Sequence, residues 1–192
     1  MSGHGRFSGN PKTEWLVDPN GRDRDMRLIE DFWYQDPDGR RWTAKAGSII
    51  NGASIPQRFW SRVGSPYTDD YRLASIVHDV ACADPLVDRR EADVMFYHAC
   101  RAAGCPPRQA IWLYAGVRLG AWCRSYLPEE FTSREDTVFR MPTNMSPDGR
   151  SLEDDFEALA RQLDGIPDEA SIQDMDAVVE GHMSRGTWRM DP

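Results

Sequence analysis

The stretch YRLASIVHDVACADPLVDRREADVMFYHAC, residues 71–100, decides the fold. Leu73, Ile76, Val77 and Val80 recur at helical spacing, so its first half has one apolar, buried face with His78 and Asp79 beside it. A second helix starts after the turn at Pro85, where Asp88 and, three residues on, Glu91 form a capping-box-like pair. Ala92, Met95, Phe96 and Ala99 make its apolar stripe. Helices joined by so short a turn run roughly antiparallel, which sets Asp93 opposite His78.

His78 and Asp93 are therefore the candidate catalytic pair. A carboxylate that accepts a hydrogen bond from one imidazole nitrogen fixes the tautomer and leaves the other nitrogen available as a base or metal ligand. Asp79 is a second acid beside the same place and a candidate metal ligand. The residues also admit a plainer reading. A His-Asp pair facing an Asp on the next helix arises wherever a hairpin is tied by a buried polar contact whose members merely satisfy one another.

The chain has 192 residues, enough for one sizeable core with length left for arms. No apolar run approaches the ~20 residues of a spanning helix. MSGHGRFSGNPK lacks the apolar segment of a secretory signal, so neither a transmembrane segment nor a signal peptide is expected. Cys82, Cys100, Cys105 and Cys123 fit no CxxC pair and are expected as reduced, packed thiols. The net charge of −8 is uneven, because residues 129–192 hold 16 of the 31 acidic and 6 of the 23 basic residues. An acidic tail repels phosphate and the remainder shows no basic stripe, so nucleic acid is not an expected partner.

Residues 1–12 read as a flexible arm. TEWLV, a turn at DPNG and MRLIEDFWYQ follow as strand, loop and strand. DPDG then closes a hairpin onto RRWTAKAGSII, with Trp33, Tyr34 and Trp42 packing across it. AGSIINGASIPQRFW is a loop in which Asn51 and Ser54 offer polar groups to a metal or substrate, or simply connect sheet to helices. Pro106 and Pro107 end the second helix. PRQAIWLYAGVRLGAWC begins a third that is apolar round much of its surface. Beyond Leu127 lies a proline-containing linker, then SLEDDFEALARQL as an amphipathic helix and a weaker helix over ASIQDMDAVVEGHM. Stripes this small do not fold alone and must dock on the core or on a partner.

LIEDFWYQDPDGRRWTAKAGSIINGASIP, YRLASIVHDVA, RREADVMF and IWLYAGVRLGAW, taken in order, resemble the domain of unknown function 1353 family of phage and prophage genomes. The resemblance covers roughly residues 27 to 123. It rests on the GASIP loop, the His-Asp helix, Arg89, Ala92, Asp93 and Phe96 of the second helix, and Tyr114, Val117, Arg118 and Gly120 of the third. Family members usually carry Asp where Asn51 stands, and an aromatic residue near Ala81 and Cys82. A looser likeness joins the helical pair to phospholipase A2 enzymes, and it implies His78 as base, Asp79 as calcium ligand and Asp93 as the group that orients the imidazole.

These readings define an α+β protein. Residues 13–127 form a core of one small N-terminal antiparallel sheet and three helices, and residues 128–192 an acidic extension of linker and amphipathic helices. The expected function is a phage-encoded, metal-assisted hydrolase acting on a cell-envelope ester or lipid. His78 and Asp93 are catalytic, Asp79 and Asn51 hold a divalent cation, and Ser54 and Arg89 contact the substrate. Calcium suits such an oxygen-rich site better than zinc. The alternative is a non-catalytic virion or tail protein whose arms bind neighbouring subunits. Partners are then phage structural proteins, a host protein held by the C-terminal extension, or further copies of the chain. The expected location is host cytoplasm or the virion.

Overall fold

Short runs of alternating burial build two antiparallel sheets of three strands each. The structure is a computed structural model that describes residues 3–17, 25–50, 70–125 and 152–185. The strands are β1 (Arg6–Phe7), β2 (Thr13–Trp15), β3 (Met26–Leu28), β4 (Phe32–Gln35), β5 (Arg41–Ala44) and β6 (Ile49–Ile50). Their orders are β1-β4-β5 and β2-β3-β6. The helices are α1 (Arg72–Ala83), α2 (Arg89–Ala103), α3 (Pro107–Ser125), α4 (Leu152–Leu163) and α5 (Ile172–Arg185). No described helix is long and apolar enough to cross a membrane.

The DPDG hairpin forms as its sequence demands. Trp33 lies opposite Thr43 and Tyr34 opposite Trp42. Asp36 organises the turn: its carboxylate accepts from the Arg40 amide at 2.9 Å and from Trp42 Nε1 at 2.9 Å, while Gly39 supplies a φ of +87°. Phe32, Tyr34, Trp42 and Ala44 point inward.

The stretch MRLIEDFWYQ is two strands rather than one, and they lie in different sheets. The break falls at Asp31, whose carboxylate accepts from the Ala46 amide at 2.9 Å and from Lys45 Nζ at 2.8 Å. Side-chain oxygen thus replaces a strand partner at this corner. Residues 6 and 7, in the stretch read as an arm, form β1 and pair with Gln35 and Tyr34 of β4.

The chain divides into two compact units, Met1–Ala53 with Ser65–Pro106, and Ser54–Gly64 with Pro107–Pro192. In the first, α1 packs on α2 and on β4, β5 and β6. Ile76, Val77, Ala92, Met95, Phe96 and Ala99 meet the inward residues of the sheets there. Asp88 caps α2 by accepting from the Glu91 amide at 3.0 Å. Gly104, at φ +109°, closes its other end while the Cys105 amide bonds back to the Cys100 carbonyl at 3.0 Å.

The sequence reading joined Pro107–Ser125 to α1 and α2; this helix, α3, groups instead with α4 and α5. Its buried Ile111, Leu113, Tyr114 and Val117 need cover, and Phe156, Leu159, Leu163, Met175 and Val179 are buried in the same unit. Polar contacts fix the arrangement. Arg108 donates to the carbonyls of Leu163 at 2.7 Å and Ile166 at 2.9 Å, at the open end of α4, and pairs with Asp168. Trp112 Nε1 donates to Asp164 at 3.1 Å, and the Tyr114 hydroxyl donates to the buried Asp176. Ser171 and Asp174 exchange bonds as a capping box for α5.

The cap at Asp88 fixes where α2 begins, and hence the height of Asp93 on it. Asp88→Ala should cost about 1 kcal/mol of unfolding free energy and Asp88→Asn much less, as measured by urea denaturation.

Candidate functional site

His78 enters the interior because α1 carries it on the buried arc with Ala74, Val77 and Ala81. Asp93 lies among the buried residues of α2. Both are fully buried. Their side chains meet, with His78 Nε2 2.8 Å from Asp93 Oδ1. The imidazole also lies against Phe96, ring centroids 4.6 Å apart. Arg89, one turn before Asp93, donates from Nε to the same carboxylate oxygen at 3.2 Å. His78 Nδ1 is buried and has no hydrogen-bond partner among the described residues.

Cys82 is the third member, and sequence reading missed it. Its Sγ is 3.4 Å from His78 Nε2. A search for paired CxxC spacing overlooks it, yet its place one turn after His78 puts both side chains on one face of α1. His78, Cys82 and Asp93 form a group whose donor atoms all lie within 4.8 Å of one another. Asp79 is buried on α1 but is not part of this group. Arg89 bonds to Asp93. Asn51 and Ser54 lie outside the described residues.

The geometry limits the chemistry. In a nucleophilic triad, thiol and carboxylate engage opposite nitrogens of the imidazole, one to be activated and the other to orient. Here Sγ and Oδ1 both approach Nε2. Cys82 is therefore not arranged as an activated nucleophile, and Nδ1 is the ring atom left for chemistry.

Burial opposes a charge on His78, but the neighbouring Cys82 and the hydrogen bond to Asp93 outweigh it and raise its pKa to about 9. A second histidine pair lies in the same unit, His4 Nδ1 being 3.1 Å from His98 Nδ1. Burial lowers the pKa of both. Arg101 adds to this for His4, and the facing His4 does so for His98.

Residues 26–117, about half of the chain, match the family described as Protein of unknown function (DUF1353). The matched span includes His78, Cys82, Arg89 and Asp93. Two similar proteins come from Sinorhizobium fredii (strain NBRC 101917 / NGR234). Uncharacterized protein y4jT is 35% identical over 114 residues, which cover 59% of this chain and 33% of the relative. Uncharacterized protein y4iH is 33% identical over 106 residues, which cover 55% of this chain and 44% of the relative. The chain thus spans less than half the length of these curated relatives. No solved structure matches it.

The two histidine sites give stability opposite pH dependences. His78, raised in the fold, contributes fully below its ordinary 6.5 and loses its contribution as pH rises through about 9. His4 and His98, lowered in the fold, contribute above 6.5 and lose their share as pH falls. The histidine part of stability should therefore peak near pH 6.5, with an alkaline slope of at most about 1.4 kcal/mol per pH unit. Urea denaturation across pH 5 to 10 checks this, and Asp93→Asn should flatten the alkaline side.

Proposed function

We propose that the protein is a hydrolase in which His78 activates water. One observation carries the reading: a buried imidazole is held through Nε2 by Asp93 while Nδ1 has no partner among the described residues. A buried polar atom of this kind is rare in a group that serves only packing. Nδ1 of the neutral ring takes a proton from water as that water attacks the substrate. Asp93 holds the Nε2–H tautomer and stabilises the imidazolium that results, and Arg89 positions Asp93.

The substrate class that fits the likeness of the helical pair to lipid-cleaving enzymes is a cell-envelope ester or lipid, met by a phage-encoded protein in its host. A divalent cation would polarise the ester carbonyl. Calcium takes roughly six to eight oxygen ligands and would draw on Asp79 and Asn51, the latter outside the described residues.

The full burial of His78 and Asp93 favours a second reading. The pair would then brace the hairpin of a phage virion or tail protein, with the C-terminal extension binding neighbouring subunits.

Purified protein incubated with phospholipid vesicles and simple esters, with calcium or with EDTA, tests the first reading. Cleavage should increase as pH rises through about 9, because the base acts only once His78 is neutral. His78→Ala should lower the rate by roughly 10²- to 10⁴-fold. An unchanged rate in a folded His78→Ala variant would remove His78 from the mechanism.

A further inference from the structure

We infer that His78 Nε2, Cys82 Sγ and Asp93 form a binding site for a zinc-class divalent ion. The inference does not rest on the hydrolase reading. Its basis is that two acidic groups crowd a single ring nitrogen. Asp93 Oδ1 is 2.8 Å and Cys82 Sγ 3.4 Å from Nε2. One N–H cannot satisfy both acceptors well, whereas a cation among the three serves all of them.

The distances suit such an ion. With metal–nitrogen and metal–oxygen bonds of about 2.1 Å and a metal–sulfur bond of about 2.3 Å, tetrahedral ligands stand roughly 3.4 to 3.6 Å apart. The sulfur–nitrogen separation already has this value. The oxygen–nitrogen pair need open by only about half an ångström, as a hydrogen bond gives way to coordination.

The donor set selects the metal. One nitrogen, one thiolate and one carboxylate are borderline-to-soft ligands, which suit zinc or cobalt and do not suit calcium or magnesium. Thiolate and carboxylate together neutralise a divalent ion. Arg89, donating to Asp93 at 3.2 Å, supplies the outer contact that orients that ligand. Cys82 is only half-buried while His78 and Asp93 are sealed, so an ion can reach the group from the thiol side. Three protein ligands leave a fourth position for water.

Binding requires Cys82 to lose its proton, so it must acidify a weakly buffered solution. Chelator-treated full-length protein titrated with Co²⁺ should bind one equivalent, release protons, and develop the thiolate-to-cobalt charge-transfer absorption of a tetrahedral site. Zn²⁺ should displace the cobalt. Cys82→Ser should abolish the charge-transfer band and weaken binding by at least 10-fold, whereas Cys100→Ala, Cys105→Ala and Cys123→Ala should retain it. Circular dichroism and urea denaturation establish that each variant is folded. Cobalt bound without the charge-transfer band, a band that survives Cys82→Ser, or no binding by the folded protein would each overturn the site. The readout is independent of turnover. Metal binding without ester cleavage would sink the hydrolase and leave this site standing; cleavage without metal binding would do the reverse.

Discussion

The first unit depends on one polar contact in an apolar setting, the bond between His78 and Asp93. Two antiparallel helices with alanine and aliphatic faces can slide past each other at little cost, since dispersion contacts are individually weak. A buried imidazole and carboxylate cannot. Moving either by a turn would leave both desolvated and unpaired, a penalty of several kcal/mol in a domain whose net stability is of that order. The bond therefore sets the register of α1 against α2. The same register brings Cys82 to Nε2 and Arg89 to Asp93.

Much of this was legible in the chain. The apolar spacing at Ala92, Met95, Phe96 and Ala99, the cap at Asp88 and the turn at DPDG are local signals, and each forms as its chemistry requires. Asp93 opposite His78 followed from hairpin geometry alone. The misses were non-local. Nothing near Arg6 and Phe7 announces a strand, because their partners are Gln35 and Tyr34. Asp31 divides an otherwise continuous β-type run by bonding to Lys45 and Ala46. The grouping of α3 with α4 and α5 depends on which apolar stripe covers which, and periodicity alone does not say that.

The site was half legible for the same reason. His78 and Asp93 stood out because imidazole and carboxylate in one hairpin invite the question. Cys82 did not, since a thiol one turn along a helix is ordinarily a small apolar residue. Its meaning appears only when Asp93 arrives from α2 at the same nitrogen. Asn51 and Ser54 depended on a loop whose residues lie outside those described.

In the second unit, Arg108 fastens the end of α4 through acceptors that lie 55, 58 and 60 residues further along. Closing so long a loop has an entropic cost that local helix formation cannot offset. During synthesis α3 leaves the ribosome well before Leu163, Ile166 and Asp168 exist, with its apolar surface uncovered for several seconds at ordinary elongation rates. The first unit, whose helices and hairpin join near neighbours, has no such wait. The order of translation thus makes α3 the segment of the nascent chain most in need of a chaperone.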